Sequence, residues 1–181
     1  MLMQADNCVL IIIDIQAKLM PALMNPEAMI QRAYALAKSA QLLDVSVITT
    51  EHYADKIGST VSDLDGLTGT VIHKKTFSAA REPSFLQALP KESKNLLFIG
   101  SETHVCVLQS LLETDMLTDH QCYLITDACN SRSQTNFDAA LKRIEQQGIG
   151  LLSTEMVLFE WLESGDNPHF KEIHSLLKPF N

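Results

Sequence analysis

No apolar run in this sequence approaches the ~20 residues that a membrane-spanning helix requires, so a spanning segment is excluded. The N-terminal stretch MLMQADNCVLIIIDIQ has neither a basic leader nor an Ala-x-Ala cleavage pattern, and acids flank its apolar run; it does not read as a signal peptide. Positive charge is scarce: 14 Lys+Arg stand against 22 Asp+Glu, a formal net charge of −8. Such a field repels polyanions, so nucleic acid and membrane are not expected partners and a small-molecule substrate fits better. Cys8, Cys106, Cys122 and Cys129 show no CxxC spacing, and three of them lie in or beside apolar strand-like runs. A disulfide framework or a zinc site is therefore a poor reading, and reduced thiols in the cytoplasm are the expectation. Internal repeats and low-complexity tracts are missing as well.

What is present is the composition of a packed fold. With 181 residues, 46% hydrophobic and 20% charged, the chain suits one globular domain spanning 1–181. Short β-branched runs alternate with segments of helical period, the pattern of strand-helix-strand units. The runs 8–14, 45–50, 70–74, 95–100, 122–127 and 148–153 carry almost no polar alternation, as strands covered by helices on both faces require. Ile30, Ala33, Tyr34 and Ala37 recur at helical spacing, as do Val107, Leu108, Leu111 and Leu112, and again Phe137, Ala140, Leu141 and Ile144. Thr154 is placed to cap a helix through Leu162, and Asn167 before Pro168 to start a last one. The segment from Tyr53 to Gly69 lacks a period and reads as a loop over a site. The expected fold is a three-layer α/β, Rossmann-like arrangement: a six-stranded, mostly parallel sheet flanked by helices.

In open parallel sheets ligands bind outside the carboxyl ends of the strands. Those ends supply Asp14, Gln16, Thr50 with Glu51, Lys74, the GSETHVC segment and Asp127. Cys106 falls at or near the first turn of a helix, where unpaired N–H groups and the helix dipole favour a thiolate; a small buried hydrophobe is the other reading. Asp14 closes a two-sided apolar strand, where desolvation would suit it to take a thiol proton, or where it simply caps a turn. Lys74 closes another strand and is able to pair with Asp14, although Lys74 or Lys75 also fits a solvated strand-end cation.

Together these segments resemble the isochorismatase-like cysteine hydrolases, the superfamily that includes nicotinamidases and N-carbamoylsarcosine amidase. The likeness runs through Asp14-Ile15-Gln16, Thr50-Glu51-His52-Tyr53, Gly58-Ser59-Thr60, Lys74-Lys75-Thr76-Phe77-Ser78, Gly100-Ser101-Glu102-Thr103-His104-Val105-Cys106-Val107, Asp127 to Ser133, and Asn167-Pro168-His169-Phe170. It implies Cys106 as nucleophile, Asp14 as base and Lys74 as third member, the lysine being chosen by its spacing of three from Phe77. It also implies a cis peptide between Ser101 and Glu102 that turns the backbone N–H groups of Glu102 and Cys106 into an oxyanion hole. Gln16, Thr103, His104 and Arg132 are substrate-binding candidates by position, Arg132 fitting a subunit contact equally well. The expected chemistry is attack by Cys106 on an amide-type carbonyl, a thioester intermediate, and its hydrolysis by water.

Nicotinamidases carry an Asp and histidines that bind a metal after the second strand; here Glu51-His52-Tyr53 puts tyrosine in the histidine's place, so no metal and no cofactor is expected. Isochorismatases proper cleave a vinyl ether and lack the cysteine, so Cys106 favours acyl chemistry. The competing function is a non-catalytic or redox-responsive oligomeric scaffold that keeps the fold. A dinucleotide-binding protein fails, since no G-x-G-x-x-G follows the first strand. The resemblance implies a homo-oligomer, and the Met- and Leu-rich stretch from Leu19 to Met29 offers an apolar contact surface.

Overall fold

The structure, a computed structural model, describes residues 2–91 and 95–178. Six strands, β1 (Cys8–Ile13), β2 (Ser46–His52), β3 (Thr70–Lys74), β4 (Asn95–Ser101), β5 (Gln121–Asn130) and β6 (Gly150–Leu152), form one sheet in the order β3-β2-β1-β4-β5-β6. Every strand pairing is parallel. The helices are α1 (Pro26–Leu42), α2 (Ala54–Ile57), α3 (Pro83–Ala88), α4 (Leu108–Leu117), α5 (Gln134–Gln146), α6 (Thr154–Leu162) and α7 (Phe170–Leu177). None of the described helices is long and apolar enough to cross a membrane.

Burial explains the strand sequences. Each residue of β1 and β4 is buried, because helices cover both faces of the sheet's centre. At the edge, β3 departs from the expectation of two apolar faces: Thr70, Val71 and His73 are exposed and only Ile72 and Lys74 are buried. Chain ends of helices also shift. The Ser153 hydroxyl, not Thr154, caps α6 by accepting from the Met156 N–H, and α7 starts at Phe170 because the Asn167 side chain is spent on the His169 N–H in the preceding turn. The 53–69 stretch is partly ordered by α2 and a short 3₁₀ turn at Ser62–Leu64. The expected contact surface at Leu19 to Met29 is mostly inward: Met20, Leu23 and Met29 are buried and Met24 is exposed.

After β3 the chain crosses to the other side of β1, so strand order reverses between β1 and β4, and the crevice lies there. The two strands approach so closely that a Cβ on Gly100, at φ +150°, would stand 2.2 Å from the Ile13 carbonyl oxygen. Beyond the strands the chain turns abruptly. Asp14, Tyr53 and Glu102, at the exits of β1, β2 and β4, all hold left-handed backbone, φ 51°, 41° and 54°. Each such residue costs ~1–3 kcal/mol and persists only where its surroundings impose it, and such costs gather at functional sites.

Candidate active site

Asp14 is 1% exposed and Lys74 is 0% exposed at the side chain, and they meet with Nζ 2.6 Å from Oδ2. The other carboxylate oxygen, Oδ1, accepts from the Thr50 hydroxyl at 2.7 Å. Thr50 pairs with Ile13 across β1 and β2, so the hydroxyl is delivered at the sheet edge by strand register. Lys74 spends its remaining donors on two carbonyls of the turn that follows it, Thr76 at 3.2 Å and Phe77 at 3.1 Å. An ion pair this deep survives only when its remaining lone pairs and protons are satisfied. Here they are.

Cys106 joins this pair. It lies on a π-helical turn, Thr103–Val107, that leads from Glu102 into α4; such wide turns recur at functional sites. Its side chain is 6% exposed, and the Asp14 carboxylate and Lys74 ammonium both act on the thiol. The surroundings of the sulfur oppose the expected stabilised thiolate. Burial, with the Asp14 charge second, pushes the Cys106 thiol up to about 12, and the nearby Lys74 ammonium only partly offsets this. Burial and the neighbouring carboxylate thus favour the protonated thiol of Cys106 over its thiolate.

The expected cis bond is likewise corrected: the described chain has no cis peptide, and the turn after Ser101 is made by the left-handed Glu102 instead. Among the four substrate-binding candidates, two are structural. Gln16 is fully buried and its amide is consumed by the backbone, accepting from the His52 N–H and donating to the His52 and Gly58 carbonyls. The buried Thr103 hydroxyl donates to the Asn130 carbonyl. His104 and Arg132 do sit together on the rim: Arg132 Nε pairs with the Glu102 carboxylate at 2.6 Å and its Nη2 lies 3.5 Å from His104 Nε2, while His104 Nδ1 faces the Ser131 hydroxyl at 3.0 Å. Burial, reinforced by Arg132 and opposed by Glu102, holds the His104 imidazole below its usual range.

No group of three or more His, Cys, Asp or Glu side chains among the described residues is placed to hold a metal ion. The Glu51 carboxylate is engaged by the Thr60 N–H and hydroxyl and faces His73. Cys8, Cys122 and Cys129 are buried in the strands, as expected of packing residues. Sequence reasoning missed the Thr50 contact and the role of the Thr76 and Phe77 carbonyls. Thr50 had a signal, an alternating position at a strand end; backbone carbonyls leave none.

The Isochorismatase domain model matches residues 8–156, a span that contains all three members of the buried cluster. The chain belongs to the isochorismatase family. Isochorismatase domain-containing protein 2 of Rattus norvegicus is 33% identical over 177 residues, which cover 96% of this chain and 82% of that protein. Among solved structures, MAR1 ribonuclease from Caenorhabditis elegans superposes with a TM-score of 0.91 at 28% identity, covering 98% of this chain and 93% of its own. The YcaC gene product of Escherichia coli, an octameric hydrolase of unknown specificity, has the same fold: TM-score 0.87 at 19% identity, covering 99% and 96%. The chain thus carries an isochorismatase-family hydrolase fold, with the Asp14, Lys74 and Cys106 side chains brought together at the carboxyl ends of β1 and β3 and the turn after β4.

Proposed function

We propose that this protein is a cysteine-dependent hydrolase acting on a carbon–nitrogen bond of a small molecule, working as a single domain in a homo-oligomer. The observation that carries the reading is the thiol of Cys106 held against a buried carboxylate and ammonium. Asp14 takes the thiol proton as Cys106 attacks the carbonyl carbon, so no free thiolate needs to accumulate at a sulfur whose burial favours the thiol. The backbone N–H groups of Glu102 and Cys106 are the proposed receivers of the developing oxyanion, the left-handed turn at Glu102 standing in place of the expected cis bond. Collapse expels the amine, which takes its proton from Asp14 and leaves a thioester on Cys106. Asp14 then deprotonates a water as it attacks the thioester carbonyl, and collapse breaks the carbon–sulfur bond, releasing the acid while Asp14 returns the proton to the Cys106 sulfur. Lys74 remains charged throughout, fixed by two carbonyls, and offsets the negative charge passing between Asp14 and the sulfur.

The raised thiol pKa weighs against a redox-responsive scaffold, since oxidants and thiol modifiers react with accessible, low-pKa thiolates. RNA is the substrate class named for the Caenorhabditis elegans structural relative; the net charge of −8 opposes it here. The octameric state named for the Escherichia coli relative supports self-association of this chain. The test is a screen of small primary amides and ureido acids, with a single-stranded RNA arm, against the parent protein and Cys106→Ala. Amide or ureide turnover by the parent alone is expected. Turnover that survives Cys106→Ala, or cleavage of RNA alone, would remove the proposal.

A further inference from the structure

Lys74 is enclosed, and its donors are taken by Asp14 and two carbonyls, so it has none left for a substrate anion. Arg132, at the same edge of the sheet, is different. Strands β4 and β5 end side by side, with Ser101 in register with Asn130, so the loop that carries Arg132 runs beside the turn that carries Cys106. The Arg132 Nε pairs with the Glu102 carboxylate at 2.6 Å, and its Nη2 makes a long contact of 3.5 Å with His104 Nε2. Glu102 opens the Cys106 turn, and His104 stands on it two residues before the sulfur. A guanidinium only donates, so His104 Nε2 accepts and the ring proton sits on Nδ1, which faces the Ser131 hydroxyl at 3.0 Å. Ser131 is fully buried; its N–H is held by the Asn130 side chain and its carbonyl by the Met24 N–H.

These contacts use one flank of the guanidinium. Both hydrogens of Nη1, and the Nη2 hydrogen beside them, have no partner among the described residues, and the side chain is 55% exposed against 17% for Glu102. We propose that this free Nη1–Nη2 edge takes a carboxylate of the substrate, so that the molecule hydrolysed at Cys106 is an amide carrying a carboxylate a few bonds from its reacting carbonyl. Parallel donors on the two terminal nitrogens match the two oxygens of a carboxylate, which a lysine ammonium cannot do. The edge is pre-set, because Glu102 and His104 hold the guanidinium from one side and little rotamer freedom is left to lose when an anion binds. As an exposed ion pair alone, Arg132 with Glu102 would contribute little. Glu102 also cancels the charge of Arg132, and the net charge of −8 repels anions at a distance, so recognition depends on the fork rather than on net attraction. Burial holds the His104 imidazole below its usual range, with Glu102 opposing and Arg132 adding to this, and the Nε2 lone pair stays available to the guanidinium.

The carboxylate site rests on the proposed hydrolysis for its reaction, but binding tests it without turnover. The probes are matched primary amides in which a methyl group replaces the carboxylate: malonamate with propanamide, succinamate with butanamide, and glutaramate with pentanamide. Their three lengths span the distance from the sulfur to the guanidinium. Dissociation constants are read from amide chemical shifts of ¹⁵N-labelled Cys106→Ala protein, alone and combined with Arg132→Gln or Arg132→Lys. At least one carboxylate probe is expected to bind about tenfold to a hundredfold more tightly than its neutral match. Arg132→Gln should bring that ratio to about one, and Arg132→Lys should keep less than about a third of it. A merely structural role for Arg132 would weaken both members of a pair alike and leave the ratio unchanged. A carboxylate preference missing from all three pairs, or one that survives Arg132→Gln, overturns the inference. Should Arg132→Gln fail to fold, Arg132→Lys decides by the same ratio, and undiminished selectivity overturns it. Hydrolysis of the six amides by the parent protein is followed separately. Preference in binding without turnover supports the carboxylate site and removes the hydrolase reading; turnover without preference does the reverse.

Discussion

Replacing Lys74 by methionine strands a charge in the core, and the structure sets the size of the effect. Methionine fills the lysine stem's volume, but Asp14, 1% exposed, keeps only its Thr50 hydrogen bond, and the Thr76 and Phe77 carbonyls each lose a donor. Deleting one partner of a buried ion pair costs ~3–5 kcal/mol, most of it the penalty of the unpaired charge left behind. For a chain of this length each kcal/mol moves the melting temperature by ~2–4 °C, so Lys74→Met is expected to melt roughly 6–20 °C below the parent. Adding Asp14→Asn removes the stranded charge, and the double variant should regain ~2 kcal/mol or more over Lys74→Met alone. Urea unfolding followed by circular dichroism, on the parent, both single variants and the double, gives the four numbers. A Lys74→Met protein within ~1 kcal/mol of the parent, or a double variant no more stable than it, would refute the claim that these two groups form a dry, mutually dependent pair.

Other consequences are as direct. Thr50→Val deletes the hydroxyl on Asp14 Oδ1 with little change of shape, and urea unfolding should report a loss of ~1.5–3 kcal/mol, the range for hydrogen bonds to charged groups; no loss would mean the carboxylate does not depend on it. Gly100→Ala drives a Cβ into the Ile13 carbonyl between β1 and β4, so little folded protein is expected, and a variant melting within a few degrees of the parent would contradict the close approach. Because the Cys106 thiol is pushed up to about 12, its alkylation rate should climb about tenfold per pH unit from pH 7 to 10 with no plateau; a plateau near neutrality would mean a stabilised thiolate after all. The same raised values for Cys106 and Cys122, from ordinary values of 9.0 to about 12, favour the protonated folded state. That contribution is present in full below pH 9 and is lost as pH rises from 9 toward 12, so melting temperature should fall across that window, and less steeply in Cys122→Ala.

The sheet was legible in the sequence because buried parallel strands are written as unbroken apolar runs, and all six runs became strands within a few residues. The edge strand broke the rule: with one side open, His73 and Val71 face solvent, something a run of β-branched letters does not distinguish from burial. The helix caps were misplaced by one residue at α6, Thr154 for Ser153, and by two at α7, Asn167 for His169, because a polar side chain at a helix start has several backbone partners within reach, and only geometry chooses among them. In the site, Asp14, Lys74 and Cys106 were readable as chemistry-bearing residues at strand exits, and the parallel topology brings them together. The state of the thiol was not readable, since a helix start favours a thiolate while burial opposes it, and the winner depends on how completely Asp14, Lys74 and α4 close over the sulfur. Gln16 looked like a pocket residue for the same reason Asp14 did, by standing at the end of β1. Its side chain is instead turned on the His52 backbone, where it fixes the end of β2.

The central claim is that the Cys106 sulfur becomes covalently acylated during turnover. Intact-mass measurement of the protein, quenched in acid within seconds of mixing with an amide it hydrolyses, tests this most directly. The account predicts a mass increase equal to the acyl group, mapped to Cys106, released by hydroxylamine and missing in Cys106→Ala together with turnover. Steady hydrolysis with no acyl adduct, or an adduct on another residue, would contradict it.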